Sequence, residues 1–135
     1  MADLNAYFKS IIDQDREAVV ICDLDHTILY MNPAAVVDYK KYGGASLLGK
    51  SLLACHTPHS VEAIRKVVEW FAADASHNIV YTYHNAKHDR DVYMVALRDA
   101  SGTLIGYYEK HDSRKAETMK QYAVSYTHLT LPTIL

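Results

Sequence analysis

The chain has 135 residues, enough for one hydrophobic core and short for two ordinary domains. Half of it is apolar, 22% is charged and the formal net charge is −2, a composition typical of a soluble globular domain. Acids and bases are interspersed and the apolar runs are short, which argues against nucleic acid and membranes as partners.

The opening MADLNAYFKS lacks both the basic start and the apolar stretch of a secretory leader, so a cytoplasmic location is expected. The two cysteines, Cys22 and Cys55, suit that compartment as thiols, and Cys22 lies inside an apolar run. Leu4, Phe8, Ile11 and Ile12 recur at helical spacing behind Asp3, which predicts a short amphipathic helix over 4–13 as an N-terminal cap, residues 1–16. Its apolar face would suit a homodimer, weakened when Phe8 or Ile12 is made polar.

A central domain is expected over 17–112. Ala18–Asp23 and Thr27–Met31 read as strands joined by a turn at Asp25-His26. Asn32-Pro33 is a helix start, since Asn accepts from a free backbone N–H and Pro has none to leave unpaired. The helix is short, stopped by Gly43-Gly44, and 45–59 is irregular. The clearest helix runs from Val61 to Ala73 with Ser60 as its cap. Val61, Ile64, Val67, Val68, Trp70 and Phe71 fill one half of its wheel. Three strands follow over 78–85, 91–99 and 103–111, joined by links short enough for antiparallel hairpins. Alternation groups Ile79, Tyr81 and Tyr83 on one face, with Val80 on the other. Apolar residues at both parities imply a sheet covered on both sides, by the long helix on one and partly by the N-terminal helix on the other.

The charged stretch 113–123 is expected to be a C-terminal helix with Ala116, Met119 and Ala123 along a narrow seam. Residues 124–135 show no helical period. VSYTHLTLPT resembles the translation of a sequencing-library adapter end, so this part is expected to be a non-native tail, with the native end near Tyr122.

Two local motifs invite chemistry. Asp23-Leu24-Asp25-His26-Thr27 after an apolar strand resembles the first motif of haloacid dehalogenase-type phosphatases. That resemblance would make Asp23 the nucleophile and Asp25 the general acid, with Mg²⁺ between them. The family's later Ser/Thr, Lys and acidic pair have no counterpart here. Two acids at an exposed β-turn explain the string more simply. Cys55-His56-Thr57-Pro58-His59 is the other. A metal would need a further ligand, an axial role for His56 or His59 would make a haem sensor, and the simplest role is a loop capping the next helix. His84, His88 and His111 lie at strand ends or in a charged turn and read as solvated rings.

The order of elements from Ala18 to Asp112 resembles the PAS fold. DLDHTILYMNPAA (Asp23–Ala35) is similar to the hairpin and Asn that open such domains. LLGKSL (Leu47–Leu52) is similar to their Gly-centred segment, and LRDASGTLIGYYEKHDSR is similar to their ending. Ser113-Arg114 departs from the usual Ile-Thr after the terminal Asp112. The implied fold class is α+β: a PAS-like five-stranded antiparallel sheet, helices packed on one face, and an amphipathic N-terminal cap. The implied role is sensory: a signal-transduction module binding a small molecule or a protein, such as an effector kinase, without catalysis of its own.

A broad helix opposite an aromatic sheet face leaves room for a flat or acyl ligand. The pocket candidates are Val36, Cys55, His56, Ile64, Val68, Phe71, Tyr81, Tyr83 and Met94, with Trp70 at the edge. The same residues would serve equally as a filled core.

Overall fold

The computed structural model of the protein describes residues 2–122. Helix α1 (Leu4–Asp13) begins where Asp3 accepts a hydrogen bond from the backbone N–H of Asn5. Strands β1 (Val20–Asp23) and β2 (Ile28–Met31) form the first hairpin. Helix α2 (Pro33–Asp38) leads into three single 3₁₀ turns, and helix α3 (Pro58–Ala73) precedes β3 (Ile79–Asn85), β4 (Arg90–Arg98) and β5 (Leu104–Ser113). The five strands are ordered β2-β1-β5-β4-β3, and every neighbouring pair is antiparallel.

Three contacts hold this topology. Asn32 is fully buried and does more than cap α2. Its Oδ1 accepts from the N–H groups of Val19 and Ala35, both at 2.9 Å, while Nδ2 donates to the carbonyls of Ile12 and Glu17, both at 3.0 Å. One amide thus joins the end of α1, the approach to β1 and the start of α2. Gly106 permits the β1–β5 pairing, because a Cβ there would lie 2.2 Å from the carbonyl oxygen of Cys22. Arg98, at the end of β4, donates to the carbonyls of Phe71, Asp74 and His77, so its cation covers the C-terminal end of α3.

The core lies between the helices and the inner face of the sheet. Val20, Cys22, Ile28, Met94 and Tyr107 from the strands meet Ile64 and Phe71 of α3 and Ala35 of α2. On the outer face, the end of α1 and its following turn border a shallow groove with Val19, Ile21, Leu97 and Tyr108.

Several expectations shift. The long helix starts three residues earlier than the wheel suggested: Thr57, not Ser60, is the cap, its Oγ1 accepting from the N–H of Ser60, and Pro58 takes the first helical position. No helix forms over 114–122. Instead β5 continues to Ser113, Arg114 turns back onto Asp91, and Glu117 pairs with Arg16. Two exposed seam residues bury too little apolar surface to hold a helix, whereas the ion pairs suit an extended path; Met119 stays 66% exposed. The tail 124–135 lies outside the described residues.

Candidate functional site

A cavity of about 380 Å³ opens between α3 and the inner face of the sheet. Helix α3 and the turn before it supply His59, Ser60, Ala63, Ile64, Val67 and His56. The sheet supplies Thr82, Tyr83, Met94 and Glu109, and Tyr39 closes one side.

A bulge decides which strand residues reach it. In β3, Tyr81 pairs with Tyr93 and Tyr83 pairs with Val92, so Thr82 is an extra residue between them. The register shift turns Tyr83 toward the inner face, alongside Val92 and Met94, and leaves Tyr81 outside. Both tyrosines are 51% exposed, but the Tyr81 hydroxyl donates to Asp91 at 2.7 Å whereas Tyr83 borders the cavity. Strict alternation had placed both tyrosines together, and this is where that expectation fails.

Of the other pocket candidates, His56, Ile64 and Met94 line the cavity with Tyr83. Val36, Cys55 and Val68 are half-buried and pack against the core beside it. Phe71 is completely buried and fills the core outright. Trp70 points outward and stacks on His77, ring centroids 4.0 Å apart.

The polar lining is specific. Glu109 sits on β5 opposite Met94, its side chain 15% exposed. Its Oε1 receives the Tyr39 hydroxyl at 3.4 Å and the Nε2 of His111 at 3.0 Å. Burial, and then the charge of Glu109, push the Tyr39 phenol well above its ordinary range; the same two causes raise that of Tyr83. His56 presents Nδ1 to the carbonyl of Leu52 at 2.9 Å; a carbonyl only accepts, so this nitrogen carries the proton and Nε2 holds the lone pair in the neutral ring. Thr82 donates its hydroxyl to the carbonyl of Val92 at 2.8 Å. Sequence reasoning missed Glu109, Tyr39 and Thr82: an acid inside YYEKH and a tyrosine inside DYKKY look solvated until sheet register and chain path bring them inward.

The acidic motif forms a turn. Asp23 Oδ1 accepts from the N–H groups of Asp25 and Thr27, both at 2.9 Å, and His26 between them adopts a positive φ of 64°. Strand β1 is antiparallel to both of its neighbours, whereas the phosphatase motif requires a parallel strand ending at a catalytic edge. The CHTPHS histidines, His56 and His59, both border the cavity, and no group of three or more metal-ligating side chains occurs among the described residues.

An antiparallel sheet of this strand order, with helices over one face and a polar-floored pocket beneath them, defines a small α+β module. A family model described as "PAS fold" matches residues 12–109, and the chain belongs to that family, whose members act as sensory signalling modules. Among solved structures, it is similar to the PAS domain of a Colwellia psychrerythraea protein, with 15% identity, TM-score 0.62, and coverage of 82% of this chain and 97% of that one. It is similar as well to the PAS domain of Bordetella pertussis BvgS, with 15% identity, TM-score 0.57, and coverage of 85% and 89%. A third likeness is to the Vibrio cholerae Aer2 receptor, a dual PAS-heme oxygen sensor, with 16% identity, TM-score 0.55, and coverage of 73% and 94%. Comparison with curated proteins gives no match.

Proposed function

We propose that this PAS domain is a cytoplasmic ligand-binding sensor whose cavity beneath α3 takes a small molecule and whose own residues carry out no reaction. The observation that carries the reading is the lining: a carboxylate, a phenol, an imidazole nitrogen and a threonine hydroxyl converge on a ligand-sized space between α3 and the sheet.

Occupancy would reach an effector, such as a kinase, along β5, which carries Glu109 at the cavity and four residues later ends at Ser113 beside the Arg114–Asp91 pair. The exposed Leu4, Tyr7, Phe8 and Ile11 of α1 offer a face for a second copy, and Ile12 turns inward to the sheet. No helix among the described residues is long and apolar enough to cross a membrane.

A haem ligand is the weaker version. His56 has the tautomer an axial ligand needs, with Nδ1–H on a carbonyl and Nε2 free. Among the described residues, however, the lining carries the Glu109 carboxylate and neither Lys nor Arg to pair with the propionates of a porphyrin.

Native mass spectrometry of the purified protein tests the reading directly. The expected result is a co-purifying small molecule, or a mass shift and thermal stabilisation with members of a compound library. An Ala63→Trp variant, plugging the mouth from an exposed helix position, should lose both. A correctly folded protein to which no library compound binds at the cavity would defeat it. A Soret band that disappears in His56→Ala would establish the haem version instead.

A further inference from the structure

We infer that the cavity selects a flat, nitrogen-containing ligand that presents N–H donors, and discriminates against carboxylates and other acceptor-only anions. This deepens, and rests on, the reading of the cavity as a ligand site.

Tyr39 spends its proton on Glu109 Oε1, Thr82 spends its proton on the carbonyl of Val92, and His56 spends its Nδ1 proton on the carbonyl of Leu52. Each of those groups therefore meets a ligand as an acceptor: the Tyr39 and Thr82 oxygens through lone pairs, His56 through Nε2. Glu109 is an acceptor by nature. Its Oε1 is engaged, while Oε2 has no hydrogen bond to the protein among the described residues and is not fully buried. Ser60, His59 and Tyr83 retain a proton to give, and all three can equally accept.

Charge points the same way. Among the described residues, Glu109 is the one acidic side chain in the lining, and neither Lys nor Arg borders the space. Arg90, at the start of β4, is committed to Asp38 at 2.9 Å and Glu17 at 3.6 Å. An anion entering here would meet the Glu109 carboxylate, which His111 on Oε1 offsets only when its ring is protonated, with no Lys or Arg bordering the space among the described residues. A protonated or N–H-bearing ligand would instead give Glu109 Oε2 a charge-assisted partner. The phenol rings of Tyr39 and Tyr83 border the same space and favour a flat or cationic group. A volume of about 380 Å³ limits the ligand to roughly the low end of small-molecule sites, about one or two rings.

Benzamidine and benzoate give a near-isosteric test, since they share ring and shape and differ in donor against acceptor character. Each is titrated into the full chain and followed by two-dimensional NMR, reading the backbone signals of Thr82, Tyr83 and Met94 to locate binding. Benzamidine should shift these signals and bind at least tenfold tighter than benzoate. Glu109→Gln should erase most of that ratio, and Ala63→Trp should remove binding of both. Benzoate binding at these signals as well as, or better than, benzamidine overturns the inference and leaves the ligand site standing. Neither compound shifting them overturns the inference, and if the broader library also fails there, the ligand site falls with it. Because the wild-type ratio is itself decisive, the test survives even if Glu109→Gln does not fold.

Discussion

Replacing Asn32 by alanine removes four hydrogen bonds of 2.9–3.0 Å, and a longer one to the Asp15 carbonyl at 3.5 Å, from a site without solvent access. The cap on the N–H of Ala35 is worth about 1 kcal/mol, as for helix N-caps generally. The bond to the N–H of Val19 and the two donated to Ile12 and Glu17 contribute roughly 1 kcal/mol each, and buried groups left unpaired add to the cost. The sum is about 4 kcal/mol, a large share of the roughly 5–15 kcal/mol that holds a domain of this size together. Urea unfolding followed by far-ultraviolet circular dichroism and by the fluorescence of Trp70 is the assay. With a slope of about 2 kcal/mol per molar, the midpoint should fall by about 2 M at unchanged slope. Asn32→Asp is the informative second variant. It keeps both acceptor contacts but loses the Nδ2 donors and sets a carboxylate against two carbonyls, so it should also destabilise. A midpoint shift below about 0.5 M for Asn32→Ala, with the slope intact, would refute the claim that this one amide joins three segments.

Gly106→Ala forces a methyl group onto the Cys22 carbonyl, and thermal melting should show a loss of about 2 kcal/mol or more, the upper range for overpacking. Cys22 is buried and its thiol is pushed up to about 12, mainly by desolvation, while Cys55 is partly exposed. A maleimide should therefore label one cysteine per native chain, Cys55 by peptide mapping, and the second only in denaturant. The Arg114 guanidinium, and then the Tyr81 hydroxyl, lower the Asp91 carboxyl from 3.8 to about 2. The folded state thus holds fewer protons than the unfolded one in this window, so the pair stabilises the fold above about pH 4 and loses that contribution as pH falls through about 2. Carboxyl-detected NMR should follow this titration, and Arg114→Gln should return Asp91 toward 3.8.

Local rules carried the elements. Asn32-Pro33 started a helix because the side-chain cap and the missing N–H act within four residues. The wheel of the long helix pointed Ile64 and Phe71 at the core because a 3.6-residue period is fixed by the backbone. The Thr57-Pro58 start obeyed the same rule as Asn32-Pro33 and was legible, but the apolar pattern drew attention to Ser60 instead. Charge patterning misled at the C-terminus, where ion pairs to Asp91 and Arg16 lie far away in sequence.

By itself, then, the order of apolar periods and turn residues determined a five-stranded antiparallel sheet with one long covering helix, since periodicity and turn chemistry are properties of neighbouring residues. Which side chains face the cavity was decided only by tertiary structure. One inserted residue at Thr82 reverses the side of everything after it in β3, and cross-strand register sets Glu109 opposite Met94. Both depend on hydrogen bonds to strands that are distant along the chain, and a one-residue shift in either would carry the acid or the phenol to the opposite face of the sheet.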